Sequence, residues 1–283
     1  MSSAFVFLSP CSVLGAARPS ALSISNPALK STSFVPRFSK RAKVAAASNR
    51  GAAHVYKTEM ALQNADPNDK ILEGPFQGKF GDWYLRQSDA NGVLGYRLAV
   101  AAMAVCMSAS VGLAVTKGTE IPSSVYDALY FTNLVSFGVA LQTIHIYMKP
   151  LHNALKVLWG LALAASIGLA VSPLLGGDGL VMAVYEHPAL LLAVGWQFVA
   201  LTGLFIKEAA CFGRVEAISL IFLVPALAGG HFLGFLPGNV ESSGAVAFAA
   251  FFLLFSARKF MQPATDDIGD MSVFEYLAKG GSL

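Results

Sequence analysis

The sequence predicts an all-α fold, a polytopic bundle of six transmembrane helices that follows a targeting segment and a polar arm. Two observations lead to this fold class. Hydrophobic residues make up 55% of the 283 positions and charged residues only 13%, whereas soluble domains carry about a quarter charged residues. The apolar residues also gather in six long stretches that lack the alternating pattern of membrane β-barrel strands. This composition therefore suits a bilayer rather than a large soluble core.

The six apolar stretches are the predicted membrane spans. They cover residues 98–116, 128–148, 157–175, 188–206, 217–236 and 242–257. About 20 apolar residues cross the hydrocarbon core of a bilayer, so the first five are long enough. The sixth is the shortest and needs Val240 and Phe260 to extend it. Together the stretches predict a membrane domain at residues 94–261.

The first 46 residues are predicted to be a chloroplast transit peptide. They are rich in Ser and Ala, hold six of the 20 basic residues and no acid, and end near Ala46 at a sequence typical of plastid processing. A mitochondrial presequence is the alternative, but four prolines interrupt the amphipathic helix that such a segment forms.

Removing residues 1–46 leaves 14 basic against 17 acidic residues. The basic pI of the whole chain therefore gives no reason to expect a nucleic-acid partner.

Polar segments flank the membrane domain on both sides. Residues 47–93 are predicted to form an extended or loosely folded polar arm, because Gly, Asp, Asn and Pro are scattered through them. Residues 262–283 are predicted to be a tail with a short amphipathic helix. Ser272 and Glu275 have capping-box spacing, so this helix is expected to begin near Ser272 and to end before Gly280. The acids of the tail are expected to hold it on the protein's own stromal face, close to the loop cations Lys149, Lys156, Lys207 and Arg214.

Basic residues near the ends of the predicted spans are distributed unequally. One side of the membrane receives Arg86, Arg97, Lys149, Lys156, Lys207, Arg214, Arg258 and Lys259. The opposite side receives Lys117 alone. By the positive-inside rule the basic side faces the stroma, the plastid counterpart of the bacterial cytoplasm. Both mature termini are therefore expected to be stromal. The thylakoid is favoured over the inner envelope, but the sequence does not decide between these two membranes.

Small residues recur at four-residue spacing on three of the predicted spans. They are Ala104, Ser108 and Gly112 in the first, Gly160, Ala164, Gly168 and Ser172 in the third, and Ala226, Gly230 and Gly234 in the fifth. Faces of this kind let helix backbones approach closely in lipid, so we expect a compact bundle. The sequence leaves open whether one of these faces binds a second copy of the chain.

Five polar residues within the predicted spans are candidate functional residues, because polar groups are costly inside a bilayer. They are Asn133, Gln142, His145, Gln197 and His231. Gln142 and His145 are three positions apart and are expected on one helix face. Each polar residue either forms a hydrogen bond between helices or has a functional role. For His145 and His231 that role is axial ligation of a chlorophyll or haem, or proton handling, and the two are expected at opposite depths, so they cannot share one ion.

The stromal ends of the fourth and fifth spans carry the densest charge. Lys207 and Glu208 end one span, and Arg214 and Glu216 open the next. The two cations are expected to neutralise the two acids, or to contact lipid headgroups. A divalent metal or substrate site, with help from the nearby His145, is the alternative. Among the motifs of soluble enzymes we find no catalytic signature, so no catalytic residue and no metal ligand is assigned.

Several short strings occur together along the chain. They are IHIY at 144–147, PLH at 150–152, KEA at 207–209, RVEA at 214–217, ARKF at 257–260, IGD at 268–270 and SVF at 272–274. Through these strings, residues 90–278 resemble the uncharacterised integral membrane family of cyanobacteria and chloroplasts called domain of unknown function 2301. The resemblance implies a photosynthetic-membrane context. It implies no reaction and no catalytic residue.

Two main functional hypotheses follow from these observations, and a membrane enzyme, which would need the charged stromal ends of the fourth and fifth spans to be a real site, is the third. The first is a non-enzymatic accessory, assembly or scaffold component of the photosynthetic membrane, in contact with the bilayer and with photosynthetic membrane complexes. The second is a transporter or channel for a small solute or ion, which would use the intramembrane Asn133, Gln142, Gln197 and His231. No inverted repeat relates the first three spans to the last three, which counts against a transporter built from repeats.

Overall fold

The computed structural model describes residues 69–173, 177 and 179–279. The predicted transit peptide with its processing site at Ala46, and the first part of the predicted arm, lie outside these residues.

The described chain opens with a β-hairpin. Strand β1 (Ile71–Gly78) pairs antiparallel with β2 (Gly81–Arg86), and Gly81 takes a backbone φ of +145° in the turn, a conformation that favours glycine. Trp83 and Leu85 of β2 are buried in a small apolar cluster with residues from two later helices. This folded hairpin corrects the expectation of a loose arm over residues 69–86.

Ten α-helices follow the hairpin in the described part of the chain. They are α1 (Gln87–Thr116), α2 (Ser123–Thr143), α3 (Lys149–Ala170), α4 (Leu180–Glu186), α5 (Leu191–Val194), α6 (Trp196–Phe212), α7 (Val215–Leu233), α8 (Gly238–Lys259), α9 (Ala264–Ile268) and α10 (Met271–Ala278). Short 3₁₀ turns at Gly118–Glu120 and Pro188–Leu190 precede α2 and α5. Gly213 and Gly234 adopt left-handed conformations at the ends of α6 and α7, where such residues terminate helices.

Four helices are long and apolar enough to cross a membrane, namely α1, α3, α7 and α8. The segments Pro188–Val194 and Trp196–Phe212 pass the same criterion together as one span that is bent by 62°. The predicted second span, residues 128–148, overlaps α2, which begins and ends five residues earlier and, at 21 residues, is not apolar enough to pass. The predicted sixth span, expected to be the shortest, is a helix of 22 residues because α8 continues past both ends of the apolar stretch. Length and composition therefore give four or five candidate spans among the described residues.

The core lies where α1, α2, α6, α7 and α8 meet. Met103, Phe137, Leu204 and Phe252 have no exposed surface there, and the Phe205 ring makes an edge-on contact with Phe252. Other faces of the same helices are apolar and exposed, as expected for surfaces that contact lipid.

Small residues serve the packing at some of the expected positions and not at others. Ala104 is fully buried, and the Ser108 hydroxyl donates to the Ala249 carbonyl across the α1–α8 contact. A Cβ at Gly230 would clash with Leu236. At Gly112 and Gly168 a Cβ would meet nothing within 4 Å, so these glycines are not needed for packing between the described helices.

The tail contains the predicted short helix, α10, preceded by the five-residue α9. The N-cap of α10 is Asp270, whose side chain accepts a hydrogen bond from the Ser272 N–H, so the predicted Ser272–Glu275 capping box is wrong. The tail packs on the hairpin: the Tyr276 ring stacks on Phe80 with centroids 3.9 Å apart, and the Lys79 N–H donates to Asp270. We call the hairpin with α9 and α10 the cap.

Candidate functional site

Five charged side chains meet where the cap joins the helix bundle. We call this group the charged cluster, and its members are Arg97, Lys207, Glu208, Lys259 and Asp267. They come from the first half of α1, the end of α6, the end of α8 and the short helix α9. The folding of four separate segments therefore builds one site.

Glu208 lies on the bundle side of the cluster and is almost completely buried. Its carboxylate accepts hydrogen bonds from Lys207 Nζ at 3.0 Å and from the Tyr96 hydroxyl at 2.8 Å, and it also forms an ion pair with Lys259. A buried carboxylate is unfavourable unless it is paired and hydrogen-bonded, and Glu208 is both.

Lys259 connects the two acids of the cluster. Its ammonium group lies between Glu208 and Asp267, 2.6 Å from Asp267 Oδ1, and 4.5 Å from the centre of the Phe212 ring. The residue has no exposed surface. Lys259 thus acts as a buried bridge between the membrane helices and α9.

Asp267 completes the cluster on the cap side. Arg97 pairs with it at 2.7 Å, and the Gln262 amide donates to it at 2.6 Å. Burial by itself raises the pKa of the Asp267 carboxyl, but the attraction of Lys259 and the hydrogen bonds from Lys259 and Arg97 outweigh it. The pKa of Asp267 therefore lies below its ordinary value, and the carboxylate stays ionised at neutral pH.

The second predicted acid, Glu216, has a different partner from the one expected. Arg258 Nη1 lies 3.0 Å from each carboxylate oxygen of Glu216, whereas Arg214 donates to Gln262 Oε1 at 2.7 Å. The expectation that Lys207 and Arg214 neutralise both acids is thus correct for Lys207 and wrong for Arg214. Arg258 lies in the last turn of α8 and Glu216 in the first turn of α7, and these two helices pack against each other.

Gln142 and His145 do not share a helix face. Helix α2 ends at Thr143, and Ile144 is extended, so the predicted spacing does not apply to His145. Gln142 is exposed. His145 is half-buried with its ring edge-on to Phe274 of α10, at a centroid distance of 5.9 Å.

Asn133 and Gln197 form a polar pair inside the bundle. The Gln197 amide donates to Asn133 Oδ1 at 2.5 Å, and Asn133 donates to the Met103 carbonyl at 3.3 Å. Both side chains are buried. The pair joins α1, α2 and α6, which matches the interpretation of these residues as a hydrogen bond between helices.

His231 lies at the opposite end of the bundle from the charged cluster. Its Nδ1 is 2.8 Å from Glu241 Oε1, and its ring stacks on Tyr185 with centroids 5.2 Å apart. At this end Asp127 also accepts hydrogen bonds from the N–H groups of Leu180 and Val181, which holds α4 against α2. His145 and His231 thus lie far apart, as their predicted depths required.

The comparison with protein-family models identifies the chain. Residues 139–276 match the model described as "Uncharacterized integral membrane protein (DUF2301)". Over this range the chain is similar to the DUF2301 family. No curated protein and no solved structure matches the chain. The protein is therefore an integral membrane protein in contact with the bilayer, and the family supplies no reaction.

The DUF2301 match covers most of the charged cluster. Lys207, Glu208, Lys259 and Asp267 lie within it, and Arg97 precedes it. Among the residues that the structure describes, no group of three or more His, Cys, Asp or Glu side chains is placed to hold a metal ion. The charged cluster pairs its acids with its cations.

Sequence reasoning missed Tyr96, Arg97, Lys259, Gln262 and Asp267 as members of the site. Two of them, Arg97 and Lys259, entered the sequence interpretation only as charges that set orientation. The available signal was the position of Lys259 at the end of an apolar stretch, eight residues before Asp267 and on the other side of Pro263. A chain that turns back at that proline brings the two charges together.

Proposed function

We propose that this protein is a six-span, non-enzymatic accessory, assembly or scaffold component of a plastid membrane, the thylakoid in particular. The plastid location is supported by residues 1–46, which are Ser/Ala-rich, basic and free of acid. The resemblance to a family of cyanobacteria and chloroplasts supports the same context.

The observation that carries the non-enzymatic role is the internal pairing of the charged cluster. Glu208 and Asp267 each contact Lys259 and a further cation, so no acid of the cluster is left to act on a substrate. The same contacts tie the cap to the ends of α1, α6 and α8. The cluster thus makes the cap a fixed surface on one side of the membrane, which suits a component that holds other proteins.

Contacts between the cap and the loops support six crossings. The hairpin precedes α1, the tail follows α8, and the two pack together, so an even number of spans separates them. The Tyr147 ring contacts Phe274 of the tail, which places the α2–α3 connection on the cap side too. Helices α1 and α2 then cross the membrane out and back, and α3 and the bent span do the same. With the excess of basic residues on the cap side, both mature termini are stromal.

Native cysteines allow this topology to be tested. Cys211 is exposed in the last turn of the bent span on the cap side, and Cys106 is buried in α1. An impermeant maleimide should label Cys211 from the stromal face of intact thylakoids. In a Cys211→Ser background, Lys117→Cys should be labelled only after the membrane is opened. Labelling of Lys117→Cys in intact thylakoids would contradict the six-span topology.

Fractionation of plastids tests the functional proposal itself. The full chain should be found in the thylakoid fraction and, after solubilisation in mild detergent, should migrate on a native gel with a pigment–protein complex. The Tyr276→Ala variant, which loosens the cap, should accumulate but migrate alone, whereas Tyr276→Phe should migrate with the complex. Absence from plastids, or migration of the wild type as a free protein, would overturn the proposal.

The transporter alternative receives no comparable support. A transporter needs polar side chains that a solute can reach, whereas Asn133 and Gln197 bond to each other and His231 pairs with Glu241. Gln142 lies at the end of α2 rather than within the bundle.

A further inference from the structure

An apolar groove separates α7 from the bent span at the level of the bend. Its volume is about 310 Å³. One wall is formed by α5 and α6 and the other by α7, and the main lining side chains are Leu192, Trp196, Val199, Pro225, Ala228 and Phe232.

The groove exists because small residues and a bend leave space that the protein does not fill. The 62° bend at Gly195 turns the first part of the span away from the direction of α6. On the other wall, a Cβ at Gly229 would meet nothing within 4 Å. Neighbouring helices in folded proteins otherwise pack closely, so the space between α6 and α7 is large enough to hold a bound molecule.

The shape of the groove suits a linear chain. Pro225, Ala228 and Phe232 succeed one another along α7, and Trp196 and Val199 do so along α6. From Pro225 to Phe232 the helix rises about 10 Å at 1.5 Å per residue. The groove therefore runs along the helices, roughly in the direction in which lipid chains extend.

The chemistry of the walls suits a hydrocarbon. None of the described residues that line the groove is charged, and the Thr202 hydroxyl donates to the Phe198 carbonyl of its own helix at 2.8 Å. The walls also continue into the apolar surface that faces the bilayer: Leu192 is 66% exposed and Val199 is 52% exposed. The groove is thus an inlet of the lipid-contacting surface.

We propose that this groove is a binding site for one acyl chain of a bilayer lipid, held between α6 and α7 and distinct from the exchanging lipids around the protein. The bound chain fills the space opened by the bend and packs against the Trp196 ring.

Quenching of Trp196 fluorescence by a bromine-labelled acyl chain tests the proposal. The full chain is purified in digitonin, which carries no linear alkyl chain, and dibromostearoyl phosphatidylcholine is added stepwise. The expected result is saturable quenching at about one lipid per protein. The chain has three tryptophans, and the Trp196→Phe variant should lose the saturable part.

A matched pair of variants separates the groove from the rest of the surface. Gly229→Leu fills the groove and should abolish the saturable quenching. Gly168→Leu on α3 is the control, since that glycine also has open space around it, and it should keep the quenching. If Gly229→Leu fails to fold by circular dichroism, Ala228→Leu narrows the same groove and should give the same loss.

Two outcomes would overturn the proposal. Quenching that rises without saturation, equally in the wild type and in the groove-filling variant, would mean that only exchanging lipid contacts Trp196. Displacement of the brominated lipid by phytol at lower concentration than by unlabelled phosphatidylcholine would make the occupant an isoprenoid rather than an acyl chain.

Discussion

Helices α6 and α7 are held together in different ways at their two ends. At the cap end, Phe212 of α6 lies under three cations, and Glu208 and Glu216 are both ion-paired. At the other end, the bend at Gly195 leaves the apolar groove between the same two helices. One pair of helices is therefore tied by charges at one end and left open at the other.

The difference shows that the helix ends at the cap must keep one arrangement, whereas the packing of the two helices at the other end can vary. Buried charges are tolerated only with their partners in place, so the charged cluster holds the helix ends and the cap in one arrangement. Apolar contacts in lipid have no such requirement, because hydrocarbon can replace a side chain at little cost. The following variants test how strongly the stability of the cap end depends on these partners.

Lys259→Met is expected to have the largest effect. Methionine has a similar length but no charge, so Glu208 and Asp267 lose their shared cation. Removing one partner of a buried ion pair costs about 3–5 kcal/mol, so the free energy of unfolding in detergent should fall by roughly that amount. Thermal or denaturant unfolding of the purified full chain measures it.

Lys207→Met is the matched control for this prediction. Lys207 pairs with the same Glu208, but the carboxylate keeps Lys259 when Lys207 is removed. The loss of stability should therefore be clearly smaller. Equal losses in the two variants would contradict the bridging role of Lys259.

Lowering the pH is expected to have the second-largest effect, because it destabilises the contacts at the cap end. The pKa of Asp267 is lowered in the folded protein, so its contribution to stability is fully present above the ordinary pKa of an aspartate and is lost as pH falls through the lower, folded value. The melting temperature should thus fall steeply below about pH 4.

The Asp267→Asn variant should be less stable at pH 7, and its melting temperature should fall less steeply as the pH is lowered. The Asp266→Asn variant changes an exposed neighbour and should follow the wild type. Parallel curves for Asp267→Asn and the wild type would rule out this source of the pH dependence.

Opening the cap should have an intermediate effect. Tyr276→Ala removes the ring that stacks on Phe80, and aromatic pairs contribute about 0.5–1.5 kcal/mol beyond their buried area. The variant should be cleaved faster by trypsin at Lys79, next to the stacked ring. Tyr276→Phe keeps the ring and should be cleaved at the wild-type rate. Unchanged cleavage of Tyr276→Ala would show that the tail does not hold the hairpin.

The sequence predicted the long apolar helices, the acids Glu208 and Glu216, and the pairing of Glu208 with Lys207, but not the pairs that Lys259 and Arg258 form. Hydropathy is a local property, so α1, α3, α7 and α8 could be recognised from single stretches. The pairing of Lys259 with Asp267, and of Arg97 with Asp267 across 170 positions, depends on how the tail folds back. Charge counting predicted a side of the membrane for the basic residues but not their contacts.

The helix end at Thr143 shows the same limit on a smaller scale. The apolar residues Ile144 and Ile146 extended the predicted span to residue 148, which placed Gln142 and His145 on one face. In the structure Pro150 lies in the first turn of α3, a position where proline is common, and the chain before it is not helical. A proline two residues after the stretch was therefore a better marker of the boundary than the apolar pattern.

The pair Glu216–Arg258 should contribute least, which makes it the sharpest contrast with the cluster. Glu216 is buried, but Arg258 is 48% exposed at its side chain, so removing the acid leaves a cation that water and salt screen, and the loss should resemble the roughly 0–1 kcal/mol of exposed pairs. Glu216→Gln should therefore lower the free energy of unfolding by a few tenths of a kcal/mol, and the loss should shrink further in about 0.5 M salt.

Glu208→Gln is the matched variant, since it makes the same chemical change at a carboxylate whose partner Lys259 is buried. It should cost several times more and should depend little on salt. Comparable costs for the two variants would mean that burial of the cation does not set the strength of these pairs.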